Sequence, residues 1–308
     1  MSAGPEFTAR VIAAFGRHLI VRDPEGREHE ARPFGRRLSV VCGDEVRCET
    51  DARHGEAHVM EVLPRRTGLY RSNLRADEEP VVANISLLLV TLAPVPAPDL
   101  FIVDRYLCAA ASAGMRAALV LNKADLPPPA ELAPELAVLT ALGYPVMTCS
   151  AQDGAGIEAL RQLCRTETAA FVGQSGVGKS SLTSALVPGA DIRTGGLMRE
   201  EDGRHTTTAS RLYDIPGGGA LIDSPGVRDF APAIERLEPT SLGFVEVAAR
   251  APDCRFDDCR HLREPGCAVQ AAVAAGDIGA RRYESYRRLR RLREQLQEAA
   301  GPKSRKKT

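Results

Sequence analysis

The chain has 308 residues, 44% hydrophobic and 26% charged. That is the balance of a globular protein, and it excludes a mostly disordered or fibrous chain. Net charge is zero, but residues 67–280 carry −8 and residues 281–308 carry +8, so a polyanion is expected to be gripped at the C-terminal end. The longest apolar run, Val81–Val90, falls well short of the roughly 20 residues of a membrane helix. The N-terminal MSAGPEF does not lead from a basic residue into an apolar run, so a secretory signal is not expected. A cytoplasmic, monomeric protein without a membrane segment is the expectation.

Residues 1–66 read as short strands at Phe7–Ile12, His18–Val21, Ser39–Cys42, Glu45–Glu49 and His58–Val62. Turn residues stand between them at Gly16, Asp23–Gly26 and Gly43–Asp44. Five strands in about sixty residues predict a small β-barrel of the oligonucleotide-binding (OB) type. A small sandwich with only a structural role is the alternative. Residues 67–232 alternate apolar runs (Val81–Val90, Ala117–Leu121, Pro145–Cys149, Ala169–Val172, Ala220–Ile222) with helical stretches (Asp99–Ala113, Ala133–Leu142, Gly156–Leu163, Lys179–Leu186). This predicts an α/β domain on a mainly parallel sheet. Residues 233–308 show no strand. They hold helices at Ala268–Ala275 and Arg281–Ala299 and a basic tail, an α-helical third unit.

Gly173-Gln174-Ser175-Gly176-Val177-Gly178-Lys179-Ser180 matches G-x-x-x-x-G-K-[ST], with a strand before it and a helix, opening Lys179-Ser180-Ser181, after it. Glycines let backbone N–H groups turn inward around phosphates at a helix N-terminus. Lys179 is expected to reach the β- and γ-phosphates, and Ser180 to ligate magnesium. Asn122-Lys123-Ala124-Asp125 closes the strand Ala117–Leu121, at the end of the sheet where α/β ligands bind. A carboxylate at Asp125 accepts from both N1–H and the 2-amino group of guanine, and adenine offers neither donor. Ser150-Ala151, after the strand Pro145–Cys149, is a further base-contacting turn. GTP and GDP are therefore expected ahead of ATP.

Asp223-Ser224-Pro225-Gly226 ends the strand Ala220–Ile222. Asp223 suits the magnesium shell, and the Gly226 N–H suits the γ-phosphate. Gly203-Arg204-His205-Thr206-Thr207-Thr208 lies where a threonine-bearing switch belongs, with Thr207 preferred as the magnesium ligand. Val227 occupies the place where many small GTPases carry a water-orienting glutamine. His205 is the nearest candidate for that role. A loop histidine without one is the alternative. The motifs keep their usual cyclic order, but Asn122–Asp125 precedes the phosphate loop, so the domain is circularly permuted. The cut leaves Asp223–Gly226 leading directly into the C-terminal unit.

Cys254-x₄-Cys259-x-His261-x₅-Cys267 supplies three thiolates and an imidazole within fourteen residues, a closed tetrahedral set for one structural zinc. The surrounding segment has few large apolar residues, so a metal would stand in for a core. The other five cysteines are scattered in apolar surroundings and are expected as buried thiols.

Together these features resemble the small-ribosomal-subunit biogenesis GTPase family RsgA (YjeQ). The resemblance lies in GQSGVGKSSL, GRHTTT, LIDSPGVRDF, CRFDDCRHLREPGCAV and RYESYRRL and runs from about residue 37 to residue 293. It implies an OB domain, a permuted GTPase domain, a zinc domain, and GTP hydrolysis stimulated by the small ribosomal subunit during late maturation. Ser86, where members usually carry an acid, and the proline-rich Val95–Pro98 depart from the pattern. A P-loop RNA-binding protein without ribosome-coupled turnover is the alternative. Contact with rRNA is expected from Arg32, Arg36, Arg37 and Arg47 on the barrel. The arginines at 281, 282, 287, 288, 290, 291 and 293 are expected to project from the last helix while its apolar face packs, and Lys303, Arg305, Lys306 and Lys307 extend the charge.

Overall fold

The computed structural model describes residues 5–35, 38–50, 56–72, 78–190, 210–228 and 232–299. His205, Thr206–Thr208, Arg36, Arg37 and the tail from residue 300 lie outside the described residues.

Five strands form the N-terminal barrel: β1 (Glu6–Phe15), β2 (His18–Arg22), β3 (Glu28–Pro33), β4 (Glu45–Thr50) and β5 (Ala57–Val62). The order β1-β2-β3-β5-β4 closes on itself through β1–β4 pairing, with β3 and β5 parallel. Alternate residues Val11, Leu19, Val21, Val46 and Val59 fill its interior. The expected strand at Ser39–Cys42 does not form. Its β-branched residues read as a strand, but Val41 N–H is taken by the Asp44 carboxylate (2.9 Å) and Asp44 N–H by Val41 O (3.2 Å), closing a turn. Arg65 fixes that carboxylate from the other side at 2.7 and 2.8 Å. The third strand is instead the charged Glu28–Pro33, where only Ala31 and Pro33 are buried, too little apolar alternation to signal it.

A hairpin follows, β6 (Gly68–Ser72) and β7 (Glu78–Ala83). The run Val81–Val90 is thus two strands. Asn84 breaks it in the left-handed region (φ 54°), donating Nδ2–H to Gly43 O and accepting Arg66 N–H at Oδ1, both at 2.9 Å. The α/β domain continues with β8 (Leu87–Leu92), α1 (Leu100–Ser112), β9 (Arg116–Leu121), α2 (Leu132–Ala141), β10 (Val146–Thr148), α3 (Ile157–Cys164), β11 (Thr168–Gly173), α4 (Lys179–Leu186), β12 (Ser210–Asp214), β13 (Ala220–Asp223) and α5 (Pro225–Arg228). Strands β10-β9-β8-β11-β13 are parallel, and β12 is antiparallel to β13. Leu88, Val90 and Leu119 share a core with Leu107 and Leu139 on one face. Leu89, Val120 and Phe171 pack with Leu160 and Leu182 on the other.

Strand β12 also pairs with β1 of the barrel, at Ala13↔Arg211 and Ala14↔Ser210, so one eleven-stranded sheet runs through both units. At the seam, Arg10 donates to Thr168 Oγ1 (2.9 Å) and Arg22 to Asp214 (2.7 Å). Ser86 hydrogen-bonds Glu167, which also pairs with Arg116, so a carboxylate stands beside Ser86.

The C-terminal unit holds α6 (Val245–Arg250), α7 (Ala268–Ala275) and α8 (Ala280–Ala299), and no strand follows β13 among the described residues. The arginines of α8 do not simply project, contrary to expectation. Arg282 is 1% exposed and forms ion pairs with Asp104 of α1 (2.6 Å) and Glu246 of α6 (2.7 Å). Arg281 pairs with Asp104 and with Glu135 of α2, each at 2.6 Å. Arg290 donates to Pro239 O and Thr240 O, and Arg293 to Leu237 O. Only Arg288 and Arg291 have exposed positions. Arg281 and Arg282 therefore dock the helix onto the α/β domain, while Arg290 and Arg293 tie it to the C-terminal unit's own loop. On the barrel, likewise, Arg47 pairs with Glu6 and Glu61, and Arg32 with Glu56.

Candidate functional site

The parallel strands end on one edge of the sheet, so the segments after β9, β10, β11 and β13 converge there. Residues 173–181 leave β11 and enter α4. Gly173 has φ 142°, and a Cβ there would lie 2.2 Å from Thr91 O. Gly178 has φ 92°, and a Cβ there would lie 2.3 Å from Asn122 Nδ2. Both positions therefore require glycine. Lys179 is 8% exposed, and its Nζ donates to Gly173 O and Gln174 O, both at 2.7 Å, holding the ammonium at the centre of the loop.

The turn after β9 is bonded to this loop. Asn122 is buried, donates Nδ2–H to Val177 O (2.9 Å) and accepts Ala151 N–H at Oδ1 (3.2 Å). Lys123, with φ 59°, donates Nζ–H to Gly176 O and Val95 O, both at 2.7 Å. Asp125 accepts from Ser150 Oγ–H (2.9 Å), and Ser150 is fully buried. Asn122, Lys123, Asp125, Ser150 and Ala151 thus form one hydrogen-bonded group against the phosphate loop, although Asn122 and its partner Val177 stand 55 residues apart in sequence.

Asp223 closes β13, next to β11 in the sheet, which sets it and Gly226 beside the phosphate loop. Ser224 is buried and its Oγ accepts from Ser210 Oγ–H at 2.7 Å, joining the motif to the first residue of β12. Val227 is 1% exposed and belongs to the core, away from a role with water. Two supports were not signalled by any motif. Gln174 accepts Asp99 N–H (2.9 Å) and donates to Ala97 O (3.4 Å), and Asp99 N-caps α1 by accepting from Phe101 N–H and Ile102 N–H. The partners lie 75 or more residues away, which no local pattern shows.

Cys254, Cys259, His261 and Cys267 bring their ligand atoms within 4.8 Å of one another. Nδ1 of His261 lies 3.4 Å from Cys254 Sγ and 3.5 Å from Cys267 Sγ, and those two sulfurs are 3.9 Å apart. These are edge lengths of a tetrahedron about 2.3 Å in radius, so the set fits a metal bound through sulfur and nitrogen. Burial pushes the Cys259 thiol up to about 12, a penalty a bound cation reverses. Burial also lowers His261, keeping the imidazole neutral as a ligand must be. Tyr283 and Tyr286 donate from α8 to His261 O (2.6 Å) and Arg260 O (2.8 Å), and Glu264 accepts three backbone N–H groups across the turn. Burial would raise Glu264, but its backbone bonds outweigh that and hold it at about 2.

A family model described as RsgA GTPase matches residues 62–232. A protein of Azotobacter vinelandii named small ribosomal subunit biogenesis GTPase RsgA is 42% identical over 294 residues, covering 93% of this chain and 85% of the relative. One of the same name from Pseudomonas fluorescens is 43% identical over 296 residues, with the same coverage. The crystal structure of YjeQ from Thermotoga maritima superposes with a TM-score of 0.73 at 28% identity, covering 94% of this chain and 99% of that one. The structure of YloQ, titled a circularly permuted GTPase, gives 0.70 at 20% identity, covering 95% and 96%, which supports the fold.

Proposed function

Since this chain belongs to the RsgA GTPase family and is a GTP-hydrolysing enzyme, we propose that it acts in ribosome biogenesis on the small subunit, late in its maturation, with hydrolysis stimulated by that subunit. It does so as a cytoplasmic monomer built of units 1–66, 67–232 and 233–308. The observation that carries this reading is the direct bonding of the Asn122–Lys123 turn onto the phosphate loop, which couples guanine recognition to phosphate grip in permuted order.

Asp125 accepts from N1–H and the 2-amino group of guanine, with Ser150 and Ala151 fixing the base edge. Gly173, Gln174, Ser175, Gly176, Val177, Gly178 and Ser181 surround the phosphates with backbone N–H groups. Lys179 exchanges its two carbonyl partners for phosphate oxygens, where its charge is worth most as negative charge builds on the leaving group. Ser180, Thr207 and Asp223 would hold magnesium, which would supply neutralisation of the phosphate charge. Gly226 donates its N–H to the γ-phosphate. With Val227 in the core, the attacking water is oriented by His205 or by a group from the subunit. Cys254, Cys259, His261 and Cys267 would hold one zinc, which would cross-link the turn that packs on α8. The partner's rRNA meets this chain through its barrel and C-terminal unit.

Co-sedimentation tests the partner. With a non-hydrolysable GTP analogue the chain is expected to pellet with small subunits and not with large ones, to be released in GDP, and to lose binding steeply with salt as phosphate contacts release counterions. Equal binding to both subunits, or to neither, contradicts the reading.

A further inference from the structure

One aromatic side chain is displayed where the fold has no internal use for it. Phe34 is 60% exposed, the most exposed phenylalanine among the described residues. It is nevertheless held in place. Its N–H donates to Val59 O of β5 (2.8 Å), and the carbonyls on either side of it, Pro33 O and Gly35 O, both accept from Arg17 (3.2 and 2.7 Å). Arg17 lies in the turn between β1 and β2, and Phe34 follows the end of β3. The β1–β2 turn and the β2–β3 face are the region through which OB barrels take oligonucleotides. The His58 ring lies 6.1 Å away at 70° to the Phe34 ring, so the two do not stack on each other. Arg32, two residues before Phe34, keeps 58% of its side chain exposed in a surface pair with Glu56, the kind of pair that contributes little and yields easily to a phosphate.

We propose that Phe34 is a stacking platform for one unpaired RNA base, with Arg17 bracing the loop that presents it and Arg32 meeting the adjoining phosphate. An aromatic face held rigid loses little freedom on stacking, and a base supplies a partner of matching size. A protein partner would need a wider apolar surface than a single exposed ring provides. The proposal rests on the reading that the chain works on the small ribosomal subunit and assigns that partner a contact.

The chain contains no tryptophan, so Phe34→Trp places a single indole at the platform. The full chain carrying Phe34→Trp is titrated with a single-stranded oligoadenylate of about twelve nucleotides, within the span of an OB fold, and separately with intact small subunits. Emission is expected to be quenched by both, as a stacked purine quenches indole. Phe34→Ala is expected to weaken oligonucleotide binding about five- to a hundredfold at fixed salt, Phe34→Tyr to retain it, and basal GTP hydrolysis to be unchanged in all three. Quenching by subunits but by no RNA oligomer would mean that a protein covers Phe34 and would overturn the assignment. Unquenched emission with normal co-sedimentation would overturn the platform while the ribosomal reading stands. Failure of the unaltered chain to co-sediment would instead overturn that reading.

Discussion

In the function proposed above, Asp125 selects the base by what it accepts. Its Oδ1 is steadied by Ser150, and the turn that carries it is fastened to the phosphate loop through Asn122 and Lys123. Asp125→Asn exchanges an acceptor for a donor, so competition binding should show GTP weakened by about a hundredfold or more and xanthine nucleotide gained. Lys179→Ala removes the ammonium that Gly173 O and Gln174 O hold within the loop. Steady-state hydrolysis should fall about a hundred- to a thousandfold. That these residues come together was legible in the sequence because each motif is a local backbone requirement. Gly173 and Gly178 must be glycine where Thr91 O and Asn122 press on them, and Lys179 must follow at the helix start. The bracing of the loop by Gln174 and Asp99 was not legible, since its two halves lie 75 residues apart in sequence.

At the scale of elements, α8 carries the main correction. Its apolar spacing marked a helix with one packed face, and Tyr286 and Leu289 are indeed buried. Periodicity says nothing about which acids wait across the contact, however, and Asp104 and Glu246 are 178 and 36 residues from Arg282. Asp104 is fully buried between Arg281 and Arg282, so it fastens α8 to α1. Asp104→Ala leaves a buried guanidinium short of a partner, a loss of about 3–5 kcal/mol for such pairs. Hydrogen exchange should show α8 opening before β8, β9 or β11. Strand β3 failed to signal for a related reason: its pairing with β2 and β5 supplies what its charged residues lack.

Across the whole molecule, both flanking units are tied to the nucleotide-binding edge. β12 enters the barrel sheet at β1 and touches Ser224 of the Asp223–Gly226 motif, and α1 links the Asp99 cap to the arginines of α8. The metal turn is held to α8 through Tyr283, Tyr286, the Arg260–Glu294 ion pair and neighbouring packing. Elemental analysis should find one zinc per chain. Chelation should loosen residues 254–293 while the parallel sheet keeps its exchange protection, and metal-free protein with an intact C-terminal unit would count against the site. Fold class was legible because motif order and the change from strand to helix texture extend over many residues. The continuity of the sheet through β12 was not, because Ser210–Asp214 has one buried residue among five. The central claim is that this permuted site turns over GTP in response to its ribosomal partner. The most direct measurement is phosphate release from GTP by the full chain, alone and with purified small or large subunits at low salt. Slow release alone, raised at least tenfold by small subunits and not by large ones, is the predicted result; a rate unchanged by small subunits would contradict it.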